Sequence, residues 1–392
     1  MLPYFGEFLM RVLLVSDFFE PRYGGIATHV KGLAKALKEQ GKEAIVLTSA
    51  GDVTCIEEVD GIKVIRARSR IFAPATFGIR ATRERVSRVI KAVKPDIVHA
   101  HHPFAPMSLA VPRVCKKYDI PCVVTNHFTP PWFKKLNFFW RASALFIRNT
   151  PPGPALKYYT KAIAVNPYGA KYFFYIIRKP VYYIPNAVFV REIYCDKKWR
   201  IEIDGWPKVL IVARGSVRKG FELAFKAFKY LTYKYPDAKL IIAGPTGWTY
   251  KYLNKLAKIL EIEKNLVNLG FVPREKLFCI YEQSDILLNT TYGGESFPTV
   301  YLEAMALGIP ILTTAGEESM WILRKSGAGI ALGRTNSKVL GINLIRLIQN
   351  EELRKEMSKN GKKFVWNYDW SRIVVKIIKV YEEAIDEHYG RR

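Results

Sequence analysis

Short apolar runs alternate along the chain with longer stretches in which apolar residues recur three and four positions apart. The runs "RVLLVS", "EAIVLT", "DIVHA" and "PCVVTN" are rich in β-branched residues and bounded by Gly, Pro or Asp, the pattern of buried strands. Between them, "THVKGLAKALKEQGK" carries its apolar residues at helical spacing and is stopped by Gly41. The pattern restarts in the second half with "KVLIVA", "KLIIAG", "LVNLGF", "DILLNT" and "IPILTT". Periodicity lapses between Tyr182 and Trp206, and "DWSRIVVKIIKVYEEAI" near the end reads as a strongly amphipathic helix. Strand, loop and helix repeating in this way predict an α/β protein of two doubly wound, parallel-sheet, Rossmann-like domains facing a cleft. The expected boundaries are 1–185, 186–370 and a C-terminal helix, 371–392, that packs back on the first domain.

Composition narrows the class. With 392 residues, 49% hydrophobic and 13% aromatic, the chain has material for two cores and is not disordered as a whole. No apolar run reaches the roughly 18 residues needed to span a bilayer. Residues 1–9 lack a signal peptide's basic start and cleavage site, and Met10 reads as a natural start before the first strand. The five cysteines are odd in number, scattered and without metal-ligand spacing, which predicts reduced thiols in the cytoplasm. The net charge of +26 favours anionic partners, and its distribution says more than its size. From Ile120 to Arg191 there is no acidic residue, while ten Lys and Arg are interleaved with aromatics such as Trp132, Phe133, Phe138, Phe139 and Trp140.

Candidate chemistry concentrates in "GGESFPTVYLEAMALGIPILTT", Gly293 to Thr314, where Glu295 and Glu303 are separated by seven residues. A Gly-containing loop leads from a strand into a helix near Thr299, whose N-terminal amides and positive dipole end favour a phosphate. Glu303, one turn in, is placed to accept paired hydrogen bonds from a cis-diol such as a ribose; Glu295, in the loop, lies nearer any group beyond the phosphates. A capping carboxylate and a solvated Glu are the plainer reading. In "ARGSVRKG", Arg214 and Lys219 follow the second domain's first strand, at the edge where open parallel sheets bind ligands, and suit a diphosphate; a solvated basic loop is the alternative. Gly24 and Gly25, between the first strand and first helix, allow close approach to phosphate and are a weak signal alone. His99, His101 and His102 invite a metal reading, but their spacing is awkward for three nitrogens and no carboxylate or Cys is near. A polar pocket wall is expected, and His29 is expected to be structural.

These segments together resemble the family 4 retaining glycosyltransferases of the GT-B fold. The resemblance rests on "PRYGGIATHV", "DIVHAHHPF", "TNHF", "YIPNAV", "ARGSVRKG", "IIAGPTG", "LGFV" and "ESFPTVYLEAMALGIPILTT", and covers nearly the whole chain. It implies that Glu303 binds the nucleotide ribose, Arg214 and Lys219 the diphosphate, and Glu295 the donor-sugar hydroxyls. Ser296 and the backbone amides around Phe297, Thr299 and Val300 would meet phosphate and sugar oxygens, and His127 would stand beside the transferred sugar. It further implies a donor-binding second domain, an acceptor-binding first domain and transfer with retention. The sequence departs from the family at Pro298, Ser296, Ala187 and Ala213, where Gly is common; none of these removes a charge.

The expected activity is therefore transfer of a hexose from a UDP- or GDP-sugar to a lipid or lipid-linked glycan. No cofactor is expected, and no metal, because the chain has no Asp-x-Asp pair. The acid-free window predicts docking on an anionic membrane, at the cytoplasmic face, as a peripheral protein. A nucleotide-sugar epimerase of the same fold, or a non-enzymatic protein binding an anionic polymer, are the rival readings. Nucleic acid is not expected, since no recognised binding motif is present.

Overall fold

The computed structural model describes residues 9–21, 24–50, 54–68, 79–129, 137–149, 153–292 and 296–390. The chain forms two compact units, residues 1–187 with 370–392 and residues 188–369. The first runs β1 (Arg11–Ser16), α1 (Gly25–Glu39), β2 (Glu43–Ala50), β3 (Cys55–Val59), β4 (Ile62–Arg68), α2 (Ile79–Val93), β5 (Ile97–His101) and α3 (Pro106–Tyr118). It continues through β6 (Cys122–Asn126), α4 (Asn137–Asn149), α5 (Gly153–Leu156), β7 (Lys161–Ala164), α6 (Pro167–Ile177) and β8 (Val181–Tyr183). Its sheet has the order β3-β4-β2-β1-β5-β6-β7-β8, parallel throughout except for the β3–β4 hairpin. β5 and β6 are buried at every position, so neighbouring apolar residues occur in both, and their polar residues His99, His101, Thr125 and Asn126 are buried with them.

The second unit runs β9 (Lys208–Val212), α7 (Phe221–Lys234), β10 (Lys239–Ala243), α8 (Gly247–Ile259), β11 (Leu266–Gly270), α9 (Arg274–Glu282) and β12 (Ile286–Asn289). α10 (Thr299–Leu307), β13 (Ile311–Thr313), α11 (Glu317–Ser326), β14 (Gly329–Ala331), α12 (Ser337–Gln349) and α13 (Glu351–Val365) follow. All its strands are parallel, in the order β11-β10-β9-β12-β13-β14. The direction of winding therefore reverses between β9 and β12, the position at which open parallel sheets bind ligands. Phe221, Phe225, Phe228 and Leu231 of α7 fill the core over this sheet.

The last helix, α14 (Trp370–Tyr389), returns to the first unit. A Cβ at Gly32 of α1 would lie 2.4 Å from the Trp370 ring, so the contact of α1 with α14 requires glycine there. Farther along, Tyr381 bonds His99 (2.6 Å), Lys161 pairs with Glu387 (2.6 Å) and Tyr182 donates to Glu383. Each bond fixes the helix against a different part of the β5–β8 side of the sheet.

One expectation fails outright. Cys195 and Cys279 form a disulfide, with Cα atoms 4.5 Å apart across 84 residues, while Cys55, Cys115 and Cys122 are free thiols. The bond joins the irregular stretch after residue 188 to α9, so reduction of all five cysteines is not the state of this fold. No described helix is long and apolar enough to cross a membrane. The acid-free window is divided in character. Tyr159, Tyr172 and Phe173 are core, whereas Phe146 on α4 and Phe174 on α6 are 69% and 41% exposed. Trp132, Phe133, Lys134 and Lys135, and the side chains of Phe138, Phe139, Trp140 and Arg141, lie outside the described residues.

Candidate functional site

In the second unit the loops after β9 and β12 are bonded to each other at the point where the sheet reverses. Tyr292 N–H donates to the Arg218 carbonyl (2.9 Å) and Thr290 Oγ1 to the Lys219 carbonyl (2.8 Å). Gly220, with φ of 64°, makes this possible: a Cβ there would sit 2.2 Å from the Thr290 carbonyl oxygen. Arg214, exposed, and Lys219, half-buried, thus belong to a loop clamped against the one that leads into α10. Two cations at the carboxyl edge of the central strands, beside a helix N-terminus, make a site of positive potential.

α10 starts at Thr299, with Pro298 as its N-cap and no side-chain cap from it. Pro298 has no N–H, so the amides at this helix start are those of Phe297, Thr299 and Val300 around it. Ser296 and Phe297 are buried, whereas Thr299 and Val300 are half-buried. Glu295 and the glycines before it, Gly293 and Gly294, lie outside the described residues.

Glu303 is neither a solvated nor a capping carboxylate. It is 4% exposed, within a run of buried residues from Tyr301 to Met305. A carboxylate so placed needs partners, because an unpaired buried charge is expensive. Arg274 Nη2 approaches its Oε1 at 3.1 Å and the Tyr281 hydroxyl donates to its Oε2 at 3.2 Å. Burial, then the adjacent Glu303 charge, push the Tyr281 phenol well up, so it stays a proton donor at neutral pH. Arg274 and Tyr281, both on α9, were missed from sequence. Arg274 follows β11, as Arg214 and Lys219 follow β9, so the same rule applied two strands further out finds it.

In the first unit Gly24 is the N-cap of α1, with its carbonyl accepting from Thr28 N–H, and Gly25 opens the helix. The histidines behave differently from their grouping in sequence. His99 is fully buried and has both ring nitrogens occupied, by Tyr381 (2.6 Å) and Thr125 (2.7 Å). His102, with φ of 66°, turns away to stack on Phe18. His101 instead meets His127 (Nδ1 to Nε2, 3.3 Å), and His29 of α1 stacks edge-on against both. Burial holds all of these rings neutral: His29 titrates at about 4, and His99, His101 and His127 well below the ordinary range, with repulsion between neighbouring rings adding to the effect.

Two family models match the chain and together cover most of it. Residues 23–191 match Glycosyltransferase Family 4, and residues 196–364 match Glycosyl transferases group 1. The chain belongs to the family 4 glycosyltransferases. This glycosyltransferase is 26% identical to the phosphatidyl-myo-inositol mannosyltransferase of Mycolicibacterium smegmatis, over 95% of this chain and 94% of that one. An uncharacterized glycosyltransferase of Methanocaldococcus jannaschii is also 26% identical, over 96% and 99%. Among solved structures, Anabaena HepE in complex with UDP and glucose superposes with a TM-score of 0.74 at 18% identity, covering 95% of this chain and 99% of that one. Sucrose-phosphate synthase of Thermosynechococcus elongatus gives 0.77 at 17% identity, covering 96% and 100%. The superpositions establish the GT-B fold for the glycosyltransferase.

Proposed function

We propose that the enzyme transfers a hexose, with retention of configuration, from a UDP- or GDP-sugar to a lipid or lipid-linked glycan. Residues 186–370 take the donor, residues 1–185 take the acceptor, and the helix 371–392 completes the acceptor unit. The observation that carries the donor assignment is Glu303. An ionised carboxylate offers about four acceptor positions; Arg274 and Tyr281 use one on each oxygen, which leaves one on each for a vicinal diol. A ribose presents that pair of hydroxyls. Arg214, Lys219 and the N-terminus of α10, with Ser296 and the amides of Phe297, Thr299 and Val300, then meet the diphosphate and sugar; Gly24 and Gly25 give close backbone approach from the acceptor side.

In the reaction the bond from the anomeric carbon to the phosphate oxygen breaks and a bond to the acceptor oxygen forms on the same face. The acceptor proton passes to the departing phosphate. Negative charge grows on the diphosphate, where the cations and helix dipole act most strongly in the transition state. Glu295 orients the sugar and His127 stands beside it. No metal or other cofactor is required by this scheme.

The acceptor assignment draws on the mannosyltransferase relative, whose name specifies a phosphatidyl-myo-inositol substrate. The acid-free window and the exposed Phe146 and Phe174 support docking on the anionic cytoplasmic face of a membrane. The test is a screen of UDP- and GDP-hexoses with lipid extract, following nucleoside diphosphate release and product mass, with the anomeric configuration read by NMR. Conversion of the donor to its epimer without any acceptor would make the protein an epimerase instead.

A further inference from the structure

We propose that His29, His101 and His127 form a site for one borderline divalent cation of the zinc class. One ring nitrogen from each lies within 4.8 Å of the others. The three come from α1, the end of β5 and the residue after β6. The parallel pairing of His101 with Thr125 holds the latter two side by side. The separation between His101 Nδ1 and His127 Nε2, 3.3 Å, is already that of two ligands on one ion: zinc–imidazole bonds of about 2.0–2.1 Å in a tetrahedron give an edge of about 3.3–3.4 Å. The His29 nitrogen, within 4.8 Å of the other two, must close to that edge when the ion binds.

His29 is the observation that points to a ligand. It is 3% exposed; the Asn186 side chain lies beside it, yet neither ring nitrogen meets a partner in hydrogen-bonding geometry. A buried polar nitrogen left this way costs about 1–3 kcal/mol, and a cation accepting the lone pair of one His29 nitrogen removes that cost for that nitrogen. His99 is excluded, because Tyr381 and Thr125 occupy both its nitrogens. Three imidazoles with an open fourth position suit zinc, cobalt or nickel, and suit magnesium or calcium poorly because those ions prefer oxygen. Trp370 packs against His29, with Asn186 beside it, and no carboxylate belongs to the ligand group. The ion's charge is uncompensated there, so the site binds more weakly than a thiolate zinc site.

Cation binding stands independently of the transferase reading. Its consequence for activity rests on that reading: an ion on His127 withdraws the imidazole from the sugar, so zinc inhibits and a chelator restores turnover.

The test uses tag-free, metal-stripped enzyme titrated with Co²⁺. One ion per chain is expected to give the intense visible absorption of a four- or five-coordinate nitrogen site, and Zn²⁺ to displace it. His127→Ala, at a half-buried position, loses the absorption, as does His29→Ala wherever circular dichroism shows it folded. His102→Ala keeps it. Absence of both absorption and retained ion in the folded wild type overturns the site, as does an unchanged spectrum in folded His127→Ala. Stoichiometric binding without inhibition upholds the site and removes His127 from the reaction.

Discussion

Glu303→Gln tests the donor site with the least disturbance to the fold. The side chain is buried and the replacement is isosteric. The amide oxygen still accepts from Tyr281, while the amide nitrogen faces Arg274 and one of the two diol positions as a donor. One ribose hydroxyl therefore loses its acceptor, and the other keeps a neutral one. Charge-assisted hydrogen bonds are worth about 1.5–3 kcal/mol each, so losing one and weakening another costs about 2–4 kcal/mol. That is a rise in donor Kd of roughly 30- to 1,000-fold. Calorimetry with a nucleoside diphosphate measures it directly. A 2′-deoxy nucleotide supplies the internal control: the wild type should discriminate against it, and Glu303→Gln should do so far less. Equal binding of ribose and deoxyribose nucleotides by the wild type, or unchanged affinity in the folded variant, would show that Glu303 braces α9 against α10 and touches no ribose.

Arg214→Ala and Lys219→Ala should each lower kcat on the order of 100-fold, more than they weaken donor binding, and activity should persist in EDTA; complete, metal-reversible loss in chelator refutes the metal-free scheme. Cys279→Ser should destabilise the enzyme, since a loop of 84 residues is closed by the bond; the chain-entropy model gives about 4–5 kcal/mol, and a denaturation midpoint indifferent to reductant would show that the bond does not form. His29 titrates at about 4 in the fold against about 6.5 when free, so the unfolded chain binds more protons between those values. In metal-free protein stability is full above about pH 6.5 and falls as pH drops towards 4, by up to about 1.4 kcal/mol per unit, with His99, His101 and His127 acting in the same direction; urea midpoints that stay level from pH 7.5 to 5.5 refute the neutral cluster. Replacing Lys134, Lys135 and Arg141 with Gln should weaken sedimentation with anionic vesicles by about 1 kcal/mol per charge, while nucleotide-sugar binding is kept; equal binding to neutral vesicles defeats docking by charge.

What could be read from sequence was whatever a single element carries. Buried strands such as β5 and β9 declare themselves because their central positions are covered on both faces, so "DIVHA" and "KVLIVA" carry adjacent apolar residues instead of alternating ones. α10 declares its start through the break in "GGESFPT" and its end through Gly308, whose φ is 75°. The partners of Glu303 did not declare themselves, because Arg274 and Tyr281 reach it from α9, across a junction that no periodicity describes. The disulfide was hidden differently. An odd count of scattered cysteines has many possible pairings, and only the packing of the stretch after residue 188 against α9 selects one.

The histidines show how far pairwise geometry goes beyond spacing. His99, His101 and His102 were grouped because they are adjacent, yet a strand sends alternate residues to the same face. That rule alone joins His99 to His101 and parts them from His102, as the 4.3 Å between the first two rings confirms. It does not say which of the pair is left with an unengaged nitrogen. Tyr381 decides that, by arriving on α14 from 282 residues away to take His99. His101 is thereby turned over to His127 and His29, so the final helix determines which imidazoles of the first unit are available for chemistry.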